Sequence, residues 1–303
     1  MRRLLLAAAS LVLALAAGAA DPEFYEYWGD GRAELSSYKI IQPRYGELRD
    51  GFGVMVFVTE DLNRQTLIKV ESPTPEADRR YTLKLNNVLK FNTGIYDYSV
   101  MTSVFSFVRA GEGGFGRDRF DFAKVSLTMQ DWCGHVFDEV RATPDQLHGR
   151  LASYFEVEGN RDYRLPRPGS FVSEDELLIR IRELDGELMA VGETQQLQLL
   201  PSLWQLRMAH QEHALVPALL KKGNVEQHQV GGSDRPAVPW TWTVEEGERS
   251  VTVWVASGHP RQILAWHSSD GGRGELLTSV REPYWRLHGN SDEAMRERLQ
   301  LPW

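Results

Sequence analysis

Asp131-Trp132-Cys133-Gly134-His135 places a thiol, an imidazole and a carboxylate within five residues. In an extended strand, positions i and i+2 share a face, so Cys133 and His135 would sit side by side with Asp131 next in the row. Such a set offers a nucleophile, a base and a group to orient the base, the parts of a hydrolase. Gly134 also permits a tight turn, in which case Cys133 reads as a buried thiol with Trp132 packed over it. His210-Gln211-Glu212-His213 sets two imidazoles three residues apart, weak candidate metal ligands for which the spacing fixes no third partner. Gly111-Glu112-Gly113-Gly114-Phe115-Gly116 spells the dinucleotide fingerprint, but Arg117-Asp118-Arg119 leads on into a strand and not into the helix that would hold a pyrophosphate. It reads as a flexible hairpin loop, and no cofactor is expected. Glu60-Asp61 and the pair Asp118 and Asp121 are further acids without a telling pattern.

Aromatic residues form the remaining signal. Trp240 and Trp242 share one face of a candidate strand, and Trp254 and Trp266 fall in the neighbouring ones, with Trp285 beyond. These indoles are either ordinary core or the lining of a groove for an apolar ligand. Tyr45, Phe57, Tyr96 and Tyr98 suggest a second aromatic surface nearer the N-terminus.

The elements that must position these residues are mostly strands. Candidates are Glu34–Ile41, Val54–Glu60, Thr66–Glu71, Tyr81–Phe91, Tyr96–Val108, Phe120–Met129, Val136–Ala142 and Leu151–Glu158, then Trp240–Glu245, Ser250–Ala256, Gln262–His267 and Gly274–Arg281. Val54-Met55-Val56-Phe57-Val58 is apolar throughout, as in a strand covered on both faces, whereas Thr82-Leu83-Lys84-Leu85-Asn86 alternates. Ser173-Glu174-Asp175-Glu176 reads as a capping box opening a helix that Gly186 ends. A second short helix starts at Ser202, and a third covers Ser291–Leu301. Gly231–Pro239 reads as a long loop or hinge, the one sub-boundary in an otherwise single β-rich domain over 21–303. The expected fold is therefore mainly β: an antiparallel curved sheet, half-barrel or sandwich-like, with one or two short central helices and a short C-terminal one.

Residues 1–20 give the compartment. Arg2-Arg3, an apolar run from Leu4 to Ala17 and small residues up to Ala20 have the form of a secretory signal peptide. The mature chain is expected in the periplasm or outside the cell, with no later run long enough to span a bilayer. The formal charge of −8 becomes two units more negative when Arg2 and Arg3 leave, which argues against nucleic acid and anionic lipid surfaces as partners. Cys133 is the only cysteine, so no intramolecular disulfide forms.

Several blocks resemble a family of predicted secreted bacterial proteins of unknown function: Tyr27-Trp28-Gly29-Asp30-Gly31-Arg32-Ala33-Glu34, Arg44-Tyr45-Gly46-Glu47 leading to Val56-Phe57-Val58-Thr59-Glu60, Phe91-Asn92-Thr93-Gly94-Ile95-Tyr96-Asp97-Tyr98 with Met101-Thr102-Ser103-Val104-Phe105, and Gln130 to His135. Members often carry the label of septum formation inhibitors of the Maf type, nucleotide pyrophosphatases of the cytoplasm. This chain lacks the Ser-rich, Arg-containing N-terminal motif of that enzyme. More loosely, a meander with central helices looks like the open half-barrel of periplasmic lipoprotein and lipid carriers. Together these readings imply a non-catalytic protein that binds a hydrophobic or amphipathic small molecule. The alternatives are a hydrolase using Cys133 and His135, and an envelope structural or assembly partner.

Overall fold

The computed structural model describes residues 22–111, 116–244 and 249–302. Residues 1–20, expected from sequence to be a leader, and residues 112–115, most of the glycine-rich stretch, lie outside them. A short helix α1 (Pro22–Trp28) precedes eight strands: β1 (Ala33–Arg44), β2 (Glu47–Asn63), β3 (Arg79–Thr93), β4 (Tyr96–Phe107), β5 (Asp121–Asp131), β6 (Gly134–Ala142), β7 (Gln146–Ser153) and β8 (Asn160–Pro166). The short β9 (Phe171–Ser173) leads into α2 (Glu174–Glu183), and β10 (Thr194–Leu200) into α3 (Leu203–Ala209). Then come β11 (Val216–Lys222), β12 (Glu226–Val230), β13 (Ser233–Val244), β14 (Arg249–Ala256), β15 (Ile263–Ser268), β16 (Arg273–Glu282) and the C-terminal turn α4 (Met295–Arg298).

All sixteen strands belong to one sheet in the order β8-β7-β6-β5-β4-β3-β2-β1-β16-β15-β14-β13-β11-β10-β9, with β12 paired to β13. Every pairing is antiparallel except β9 with β10. The mainly β, antiparallel expectation holds, and the sheet is curved and open, not a closed barrel. Its two edge strands, β8 and β9, are consecutive in the chain and joined by residues 167–170, so the edges come round toward each other without pairing.

Two readings of local sequence change. Gly231 and Gly232 take positive φ and form only the turn between β12 and β13, while residues 233–239 are strand. Glycine supplies the mirror-image turn that matches strand twist, and the prolines at 236 and 239 fall where the chain stays extended. Thr66–Glu71, read as a strand, makes only an isolated bridge between Leu62 and Lys69. Leu67 instead folds over the outer face against Leu62, Phe105 and Phe107.

The inner face of the sheet is the main core. Met55 and Phe57 point into it, while Val56 and Val58 on the same strand lie outside under Leu299. Strand β2 is thereby apolar on both faces for a physical reason: the C-terminal segment roofs its outer side.

Helix α2 packs against this inner face at β4 and β5, yet six of its ten residues are charged. Charge removed from water must be met by opposite charge or hydrogen bonds. Arg182, with no exposed side-chain surface, forms a fork on Glu34 of β1 at 2.8 and 3.1 Å, donates to the Pro260 carbonyl at 3.0 Å, and lies over the Phe57 ring at 4.2 Å. Tyr27 donates to the same carboxylate at 2.8 Å. Despite its burial, these partners hold Glu34 below the usual glutamate range. Removing one partner of such a pair leaves a naked buried charge, so Arg182→Met lowers stability by about 3–5 kcal/mol in urea denaturation at neutral pH. A loss under about 1 kcal/mol would show that the pair is not shielded from water.

Candidate functional site

Beside α2, on the side facing β13–β15, the inner face leaves a cavity of about 150 Å³. Its walls come from Ile40 of β1, Met55 of β2, Leu89 of β3, Trp242 of β13 and Trp266 of β15, and Trp204 of α3 closes one side. Period-two alternation puts these residues together. In register, Trp242 faces Val251 and Trp266 faces Val253, so both indoles and both valines share the inner face. Trp266 lies across Gly274, where a Cβ would come within 2.2 Å of the ring, and packs on Tyr38 at 5.0 Å.

Polar groups line one flank. The Glu174 carboxylate accepts from the Trp242 indole at 3.0 Å and is gripped by the Arg249 guanidinium. Its other oxygen takes the Ser202 amide at 3.0 Å, while Asp175 takes the Leu203 amide at 3.1 Å. The first amides of α3 are therefore capped from α2, not by the Ser202 hydroxyl. At α2 itself the Ser173 hydroxyl makes no cap either, and the Glu176 carboxyl accepts from the Ser106 hydroxyl at 3.4 Å. Asn87 is the odd member of the inward row Leu83, Leu85, Asn87, Leu89, Phe91: it lines the cavity, and its carbonyl oxygen is buried without a partner.

Cavity volume decides what fits. A space of roughly 150 Å³ with apolar walls accepts a benzene-sized group, which is a ring or a short stretch of alkyl chain and not a whole long-chain lipid. A neighbouring groove of about 500 Å³ shares Gln205, Arg249 and Asp270 with the cavity and continues it past Leu206, Val216 and Val244.

The four tryptophans named from sequence separate. Trp242 and Trp266 line the cavity; Trp240 is fully buried core beneath the Lys222 ammonium at 5.0 Å. Trp254 lies on the opposite face, stacked on His228 at 4.4 Å and bonded to Glu226 at 2.7 Å. In the second aromatic group, Phe57 is core, and Tyr45 is exposed with its hydroxyl 2.9 Å from that of Tyr98. Trp204, Asn87 and Asp175 were not singled out from sequence. Asn87 carried a signal, since it interrupts an apolar period-two row.

Cys133 does not lie in a strand. Trp132-Cys133 is a two-residue turn between β5 and β6, so the side-by-side arrangement with His135 does not form. Both residues are exposed, unlike the buried thiol of the alternative reading, and one Asp131 oxygen accepts from the turn amides of Cys133 and Gly134 at 2.8 and 3.1 Å. His210 and His213 also go separate ways. His210 ends α3 in a left-handed conformation with its Nδ1 2.9 Å from Glu158. His213 sits 2.6 Å from Asp138 and stacks on Tyr163. Glu60 pairs with Lys84 and Asp121 with Arg167.

No family model matches the chain, and a search of the curated proteins finds no match. The likeness to secreted bacterial proteins rests on the sequence blocks alone. Among solved structures, the chain is similar to the crystal structure of a beta-barrel-like protein of a domain of unknown function, DUF1849, from Brucella abortus, at 9% identity and a TM-score of 0.49, covering 82% of this chain and 97% of that one. None of the helices among the described residues is long and apolar enough to cross a membrane.

Three carboxyls of α2 are raised by burial: Asp175 to about 6, Glu183 to about 7 and Glu176 to about 8. Asp175 lies deep in the fold but keeps accessible surface, because it faces the cavity. Glu176 has none; the Asp121 charge adds to the effect of burial, and the nearby Arg180 and Arg167 offset only part of it. An acid whose folded pKa is raised keeps its proton in the fold after the unfolded chain has released it. Stability then falls as pH rises from the unfolded to the folded value. Denaturation midpoints should decline between about pH 4.5 and 8, and Glu176→Gln should flatten that decline by a few kcal/mol in urea titrations at both ends of the window. A variant with the parent's slope would place the Glu176 carboxyl in contact with water.

Proposed function

We propose that the protein is an exported, non-catalytic binding protein for an amphipathic small molecule. The apolar end of the ligand enters the cavity between Trp242, Trp266 and Trp204, and the remainder lies in the adjoining groove toward Arg249 and Asp270. One observation carries this reading: the inner face of the sheet, packed elsewhere with large side chains, leaves space beside α2 walled mainly by apolar side chains, with polar groups that include the Glu174–Arg249 pair, Asp175 and the unpartnered Asn87 oxygen on one flank and Gln42, Gln205, Asp270 and Arg273 toward the groove. Apolar walls with a few placed polar groups are the usual make-up of a small-molecule site. The leader-like first twenty residues support an extracytoplasmic setting, where such a molecule would be met.

Titration with a dansyl-labelled medium-chain fatty acid, followed by energy transfer from the cavity tryptophans, should saturate at one ligand per protein. Val253→Phe, which fills the space opposite Trp240 and Trp266, should weaken binding at least about tenfold, or about 1.4 kcal/mol, while the unfolding temperature stays within a few degrees. Absence of saturable transfer in the parent, or unchanged affinity in the variant, would overturn the assignment.

A further inference from the structure

On the other side of α2 lies a second cavity, of about 380 Å³ and opposite in character. The first cavity meets α2 at Glu174, Asp175 and Leu178, whereas this one meets it at Leu177 and Arg180 and at Leu184 just beyond its end. Three guanidinium groups from two segments line it: Arg117 and Arg119 from the approach to β5, and Arg180 from the helix. Of the three carboxylates in its walls, Asp118 is exposed and pairs with no cation among the described residues, and the other two are taken. Glu187 binds Arg119 through both oxygens at 2.7 and 2.8 Å. Asp121 binds Arg167 at 2.7 Å and the backbone amide of Arg117 at 2.6 Å. The Arg117 side chain spans two carbonyls, those of Pro168 and Arg167, each at 2.5 Å, which satisfies its donors and leaves its charge unmatched.

Arg180 has neither kind of partner. Its Nε is buried without an acceptor, and among the described residues no hydrogen bond or ion pair engages its guanidinium. Glu176 lies one helical turn back, and burial raises its carboxyl to about 8, so that it is mostly protonated at neutral pH. A guanidinium left open to a polar cavity, beside a second one whose charge is also unmatched, is a receptor for an oxyanion.

We propose that this cavity binds a phosphate monoester, with Arg180 forking onto the phosphate oxygens and Arg117 supplying further positive charge, while Arg119 stays held by Glu187. Arg180 and Arg117 carry the charge that an oxyanion would meet, the Asp118 carboxylate lying on the exposed side of the same wall. A tetrahedral group also offers acceptors to donors arriving from more than one direction, which a planar carboxylate does not. The volume exceeds that of a bare phosphate, so the ester carries a small substituent.

Isothermal titration with glycerol phosphate at constant ionic strength tests the site, with sodium sulfate as the control for simple charge. The parent should show saturable one-to-one binding, Arg180→Gln should weaken it at least about tenfold, and Arg180→Lys, which keeps the charge but not the fork, should fall between them. If Arg180→Gln does not fold, the lysine variant against the parent still decides. Sedimentation with phosphatidylcholine vesicles containing phosphatidic acid separates the sources of the group: Arg180-dependent vesicle binding without glycerol phosphate binding assigns the phosphate to a lipid headgroup. Parent protein that binds neither probe, or binding equal in the parent and both variants, would overturn the proposal. Val253→Phe should leave phosphate binding unchanged, so the two cavities fail or succeed independently.

Discussion

Withdrawing a guanidinium from water is strongly unfavourable unless its charge is met in place, and the interior of this protein is arranged around meeting that demand for Arg182, whose Nε alone keeps no acceptor. Glu34 takes the fork, Tyr27 and Ser36 hold Glu34, the Pro260 carbonyl takes a further donor, and Phe57 and Trp28 stack on the guanidinium. That cluster ties the end of α2 to β1, to α1 and to the loop after β14. At the start of the helix, Glu174 and Asp175 tie it to Arg249 and to the first amides of α3. A helix of this composition on an apolar sheet face is held by directional bonds at both ends, not by an apolar stripe alone.

The cavities follow from that arrangement. A helix fixed by its ends cannot settle into every hollow of the curved sheet, and the spaces beside it keep the character of the wall they face. Toward β13–β15 the wall is indole and valine, and the space is apolar. Toward the meeting sheet edges the walls are Arg117, Arg119 and the 167–170 loop, and the space is charged. The two proposed ligand classes rest on this contrast between the linings.

The sheet was largely legible in the sequence because period-two alternation and Gly, Asn and Asp turns are local signals. Tyr81–Phe91 and Tyr96–Val108 mark β3 and β4 to within two residues. Strands β8 to β12 were not seen: in β10 and β12, Thr-Gln-Gln-Leu-Gln-Leu-Leu and Glu-Gln-His-Gln-Val lack β-branched runs, and their pairing partners alone make them strands. The site was half legible. Trp242 and Trp266 were named, but Trp240 and Trp254 were grouped with them because spacing along a strand shows which residues share a face, not which face looks inward or whether the space there is filled. The role of α2 was hidden for a related reason: its charges look like those of a solvated helix, and the acid at position 34 that buries them lies 148 residues away.

Hydrogen–deuterium exchange at the backbone amides of Glu174–Glu183 tests the central claim most directly, namely that a highly charged helix is locked inside the sheet by buried ion pairs. The account predicts that these amides exchange as slowly as those of β3 and β4, through global unfolding only. Exchange on the time scale of the exposed turns, with β3 and β4 still protected, would mean that the helix is solvated and the two cavities beside it are not held open by it.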